Sequence, residues 1–92
     1  MIKTFSHKGL ELFFTTSSTR GIDANQQARV RRILDRLDAA LSATDMNLPG
    51  YRFHALKGDR AGTYAVAVSG NWRITFSFEG GDAYRVNLED YH

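Results

Sequence analysis

The side chains able to do chemistry in this chain are two imidazoles, a phenol, an ammonium, a guanidinium and a carboxylate, and they fall in three places. His54 and Lys57 stand in Tyr51-Arg52-Phe53-His54-Ala55-Leu56-Lys57-Gly58-Asp59-Arg60, where an alternating run ends and a turn begins. Arg73 stands in Trp72-Arg73-Ile74-Thr75-Phe76-Ser77-Phe78, and Asp90, Tyr91 and His92 are the last three residues. This set suits cleavage of an RNA phosphodiester. The substrate's own 2′-OH attacks, so the protein supplies no nucleophile. It must supply a proton acceptor, a proton donor, and cations where phosphorane charge develops. Histidine as a residue type serves in either proton role near neutral pH. Dependence on a 2′-OH also selects RNA over DNA.

Other chemistries fit the pattern less well. His7, His54 and His92 are scattered, without the paired His, Cys or carboxylate spacing of a metal site. No Gly-rich phosphate loop leads into a helix, and there is no nucleophile elbow. The chain has no cysteine, which removes thiolate and disulfide chemistry and fits a reducing cytoplasm. The opening Met1-Ile2-Lys3-Thr4-Phe5 lacks the apolar run of a signal peptide. No stretch approaches the ~18 apolar residues of a membrane span. The net charge is only +2, but the isoelectric point of 9.2 points to an anionic partner.

The elements that must position these groups are legible from periodicity. At 92 residues the chain is a single domain, 1–92, with one modest core. Ile2, Thr4 and Phe5 suit a short first strand. Leu10, Phe13 and Phe14 recur at helical spacing and predict a short helix over 8–16. Thr15 to Gly21 reads as a loop, and Asp23 as the cap of a second helix over 24–41. Its apolar stripe is Val30, Ile33, Leu34, Leu37 and Leu41. At about 100° per residue, Arg29, Arg32 and Arg36 gather on one flank as an unpaired ridge suited to a nucleic-acid backbone. Arg31, Asp35 and Asp38 gather on the other flank, where i,i+4 pairing neutralises charge. Residues 42–50 form a connection, stopped by Pro49-Gly50.

The rest reads as strands. Tyr51 and Phe53 alternate with Arg52 and His54. Tyr64, Val66 and Val68 form one buried face, and Trp72, Ile74, Phe76 and Phe78 another, joined at Ser69-Gly70-Asn71 as a hairpin. The open face of the second strand carries Arg73, Thr75 and Ser77. After Glu79-Gly80-Gly81-Asp82, Tyr84, Val86 and Leu88 give the buried face of a last strand. Helices first and hairpins after mean an α+β fold: two N-terminal helices packed on one face of a small, mainly antiparallel sheet of 3–5 strands.

Four ordered blocks carry a family resemblance. They are His54-Ala55-Leu56-Lys57-Gly58, Gly70-Asn71-Trp72-Arg73-Ile74-Thr75-Phe76, Gly80-Gly81-Asp82-Ala83-Tyr84 and Glu89-Asp90-Tyr91-His92, and the opening Met1 to Leu10 matches as well. The chain resembles, over essentially its whole length, the HigB toxins of the RelE/ParE superfamily of bacterial toxin–antitoxin systems. The resemblance implies a RelE-like fold and a ribosome-dependent endonuclease that cuts mRNA in the A site of the 70S ribosome, halting translation with no metal or cofactor. It implies a HigA-type antitoxin as partner. Matched position by position, it implies Lys57 and Arg73 at the scissile phosphate, with His54, Asp90, Tyr91 and His92 jointly in proton transfer and positioning. Ala55 stands where the family commonly has Pro, and Leu88 where Tyr is common. The arginines 29, 32 and 36 are assigned to ribosomal RNA by charge alone. The rival expectation is a non-catalytic toxin of the ParE branch, which binds DNA gyrase; a pure binder has no need of two imidazoles flanking an arginine. A plain RNA-binding module fits less well, since the sheet's open face has no aromatic platform for bases.

Overall fold

The computed structural model describes residues 1–90; of the expected site, Tyr91 and His92 lie outside the described residues. Helix α1 spans Lys8–Thr16 and helix α2 spans Gln27–Ala39. Strands β1 (His54–Ala55), β2 (Thr63–Ser69), β3 (Trp72–Glu79) and β4 (Asp82–Asp90) follow. They form one antiparallel sheet in the order β1-β2-β3-β4. Two N-terminal helices on a four-stranded sheet are the α+β arrangement that the segregation of helices from hairpins predicts. No described helix is long and apolar enough to cross a membrane.

Helix α1 begins where it should. His7 caps it, its Nδ1 accepting from Leu10 N at 3.0 Å, so this third histidine is spent on structure. Leu10 and Phe13 are its buried face. Gly9 and Gly21 let the helix meet the following loop: a Cβ on Gly21 would sit 2.7 Å from Gly9 Cα. Asp23 caps the next segment by accepting from Asn25 N at 2.9 Å, but the first turn, Ala24–Gln26, is a 3₁₀ turn and regular helix starts at Gln27.

The end of α2 departs from the periodicity. The helix stops at Ala39, and Leu41 is 82% exposed rather than part of the stripe. The Asp45 carboxylate accepts from the backbone N–H of Leu41 and Ser42, at 2.8 and 3.2 Å, and starts a separate 3₁₀ turn over Ala43–Met46. That reciprocal cap draws the chain off the helix axis. Ala40 and Met46 fill the core in place of Leu41.

The core lies between the helices and one sheet face. Val30, Ile33, Leu34 and Leu37 of α2 join Leu10 and Phe13 of α1 against Val66, Val68, Ile74, Phe76, Val86 and Leu88. Each such side chain, fully buried, contributes about 1.5–3 kcal/mol before entropy is counted. Residues 2–6 run beside the outer edge of β4, bridged in parallel at Ile2–Ala83 and Phe5–Val86 instead of forming a regular strand. This covers an edge that would otherwise be open to pairing.

Two register shifts correct the simple alternation. One falls between Ala67 and Ser69 in the β2–β3 pairing, and Trp72 beside it is 37% exposed rather than buried. The other falls opposite Thr75–Ser77, where Arg85 adopts φ 53°. A bulge of this kind flips the parity of what precedes it. Ala83, not Tyr84, is therefore the fully buried residue there.

Candidate active site

His54 is exposed, on the short edge strand β1, opposite Ala65 of β2. The segment before it is not a regular strand, because Arg52 has φ 52°, in the left-handed region uncommon for non-glycine residues. That conformation has a consequence for the imidazole. His54 Nδ1 lies 3.0 Å from the Arg52 carbonyl oxygen. A carbonyl only accepts, so Nδ1 is the donor in this contact, and in the neutral imidazole Nε2 presents the lone pair. An imidazole oriented in this way is a ready proton acceptor.

Arg73 lies on the same sheet face. Ala67 of β2 is its partner on β3, and Ala65, one row along, is the partner of His54. Two alanines thus separate imidazole and guanidinium, whose Cα atoms lie two strand spacings apart and one two-residue row offset, about 12 Å on the diagonal. Arg73 Nη1 donates to the carbonyls of Gly70 and Trp72, at 2.8 and 3.0 Å. Among the described residues these are the guanidinium's partners, and its remaining N–H groups are available to an anion. Lys57 is exposed, two residues past β1, where the 3₁₀ turn Gly58–Arg60 begins.

Asp90 is exposed at the end of β4, opposite Trp72 and one residue beyond Arg73's partner Glu89. By the pleat, Asp90 and Glu89 face opposite sides. Asp90 borders a polar cavity of about 400 Å³ with Trp72, Asn71, Gln26 and Asn25. The Gln26 side chain is buried there and donates to Ser69 Oγ at 3.1 Å. Among the described residues no three His, Asp or Glu side chains converge as metal ligands would.

Two further residues shape the face that carries Arg73. Arg60 reaches from the β1–β2 connection to Glu89 on β4, donating Nη1 to Oε1 at 2.9 Å and Nη2 to Oε2 at 2.6 Å. Thr75 Oγ1 donates to the same Oε2. The Arg60 guanidinium holds the Glu89 carboxyl below the usual range; burial opposes this and the Thr75 hydroxyl assists it. Thr75 and Ser77, expected on an open face, are buried under this bridge. They help to line a polar cavity of about 150 Å³. Counting back from the β3–β4 turn pairs Arg73 with Leu88; only the bulge at Arg85 brings Glu89 into register. No sequence signal marks that bulge.

The arginines of α2 divide. Arg29 does not join an unpaired ridge. Its Nη2 donates to the carbonyls of Gly50 and Ala67, at 2.8 and 3.0 Å, and its guanidinium lies 4.7 Å from the centre of the Tyr51 ring. It ties the 50–53 segment, which leads into His54, to β2. Arg32 and Arg36 are exposed and line a cavity of about 610 Å³ with Asp35, Ala39, Leu48, Pro49 and Tyr51. On the other flank, Arg31 donates to the Phe13 carbonyl and covers its ring, and Asp38 accepts from Ile2 N. Tertiary partners, not i,i+4 neighbours, satisfy those two charges.

Comparison with known proteins adds two findings. A family model described as the RelE-like toxin of the type II toxin–antitoxin system HigB matches residues 3–92. The chain is 47% identical over 92 residues to a Proteus vulgaris protein named Endoribonuclease HigB, covering 100% of both chains.

Proposed function

Since the chain belongs to the HigB-like family, the RelE-like toxins of type II toxin–antitoxin systems, we propose that it is an endoribonuclease that cuts mRNA in the ribosomal A site. In this reading the 2′-OH of the nucleotide before the cut attacks the adjacent phosphorus. His54 Nε2 is suited to take its proton, since Nδ1 is committed to Arg52. Arg73 and Lys57 stabilise the charge that builds on the phosphorane oxygens. The P–O5′ bond breaks, and the departing 5′ oxygen takes a proton from the C-terminal acid group. Tyr91 and His92 are the candidates for that donor, and Asp90, whose strand position faces the side opposite Arg73, is a candidate for orienting them. The products are a 2′,3′-cyclic phosphate and a 5′-OH.

The observation that carries this reading is that His54 and Arg73 share one sheet face, on strands either side of β2, with Ala65 and Ala67 between them. Arg32 and Arg36 extend the contact to ribosomal RNA as backbone-tracking cations. The toxin pairs with an antitoxin, for which a HigA-type protein is the proposal, and works in the cytoplasm, where ribosomes are.

Mapping mRNA ends after induction tests the proposal. Discrete cuts within codons of translated messages are expected, and His54→Ala should reduce them about 10²–10⁴-fold, the usual worth of a general base. DNA damage without mRNA cuts would point to a gyrase-binding toxin instead. Removal of Tyr91 and His92 should abolish cutting while the thermal unfolding midpoint stays near that of the parent.

A further inference from the structure

The β3–β4 register sets Glu89 directly opposite Arg73, on the same sheet face. Side chains so placed start about 4.5–5.5 Å apart at Cβ, and opposite charges there attract. Yet among the described residues the ion pair of Glu89 is with Arg60, not with Arg73. Both carboxylate oxygens are occupied by the Arg60 fork, and Thr75 adds a third hydrogen bond. Arg73 turns the other way, to the Gly70 and Trp72 carbonyls.

We propose that Arg60 is a positioning residue that holds Glu89 away from Arg73, so that Arg73 meets the scissile phosphate with its charge un-neutralised. The inference rests on the reading of Arg73 given above. A two-pronged guanidinium–carboxylate pair is among the stronger polar contacts, in geometry as well as energy. Arg60 approaches from the far side of the face, from the β1–β2 connection, so its hold on Glu89 draws the carboxylate along the sheet toward Thr75. Remove Arg60, and the cation opposite Glu89 is Arg73. A carboxylate bound there would repel the phosphate and occupy the donors meant for it. The bland role for such a bridge is to tie the connection to β4. The two roles differ in what happens when both partners are removed together.

The test uses the full chain and compares four proteins for cutting of ribosome-bound mRNA, with thermal unfolding measured on each. Arg60→Ala should cut about 10- to 100-fold more slowly than the parent, less than or equal to the loss on removing one oxyanion donor. The double variant Arg60→Ala/Glu89→Ala should recover at least tenfold of that loss, although it lacks the bridge as fully as the single variant does. Arg73→Ala is the control on the underlying reading. If Arg73→Ala cuts like the parent, that reading falls and this inference falls with it. If Arg73→Ala is inactive but the double variant is no faster than Arg60→Ala, the bridge is structural and the inference alone is overturned. It is equally overturned if Arg60→Ala cuts like the parent, as it would if Arg85, which lines the same cavity, captured the freed carboxylate.

Discussion

Two regions of this molecule carry arginines next to apolar surface, and they use them in opposite ways. On α2, Arg29 and Arg31 are absorbed by the fold. Each donates to backbone carbonyls of another segment and covers an aromatic ring, Tyr51 or Phe13. On the sheet, Arg73 gives one nitrogen to the nearby β2–β3 turn and keeps the rest of its donors. A charge is available for function where its backbone partners are local and no distant segment or aromatic ring packs against it. The carbonyls claim Arg29 because the 48–53 connection passes over α2 without regular strand pairing and leaves acceptors to satisfy. The two carbonyls that accept from Arg73, those of Gly70 and Trp72, lie within three residues of it in sequence, and no aromatic ring covers its guanidinium among the described residues.

The sharpest way to break this comparison is to truncate the arginine in each region. Arg73→Ala should lower the cutting rate about 10²–10³-fold, as removal of an oxyanion donor does, with little change in unfolding midpoint. Arg29→Ala should do the reverse, costing about 2 kcal/mol in denaturant titration through two orphaned carbonyls and a lost ring contact. Arg29→Lys should recover only part of that, since a point ammonium does not replace a planar fork. Equal effects of the two truncations on stability would end the distinction. Arg32→Ala and Arg36→Ala come next: stability within about 0.5 kcal/mol of the parent, ribosome binding weakened a few-fold, and a shallower dependence of binding on salt.

The smallest effect concerns acid. The Glu89 carboxyl titrates below the ordinary glutamate value of about 4.5 because Arg60 stabilises its charged form. Its contribution to stability is complete above that value and is lost as pH falls through the lowered one. Glu89→Gln should therefore lower the unfolding midpoint at neutral pH by a degree or two, and the two unfolding curves should converge as the pH falls through the lowered value. A gap that stayed constant down to low pH would show that the bridge does not shift this proton.

Much of this was open to reading from the chain. The α1 boundaries, the Val30–Leu37 stripe and the two hairpins follow from period and turn residues, because each depends on neighbours in sequence. Leu41 misled because the stripe continues through it on paper, while Asp45 four residues on diverts the backbone. Tyr84 misled because alternation has no way of marking a bulge. Arg29 looked like its neighbours Arg32 and Arg36 because helical angle gives a flank but not what packs against that flank.

By itself the sequence determined which residue types are present for RNA chemistry, which faces of the helices and hairpins are apolar, and hence the α+β layering. Those are local properties, set by side-chain chemistry and by the 3.6- and 2-residue periods. Only tertiary structure decided which charges stay available. The left-handed turn at Arg52 fixes the proton on His54 Nδ1, the bulge at Arg85 sets Glu89 opposite Arg73, and Arg60 crosses the sheet to hold that carboxylate. The last two depend on segments distant in sequence meeting in register, where a shift of one residue exchanges one partner for another.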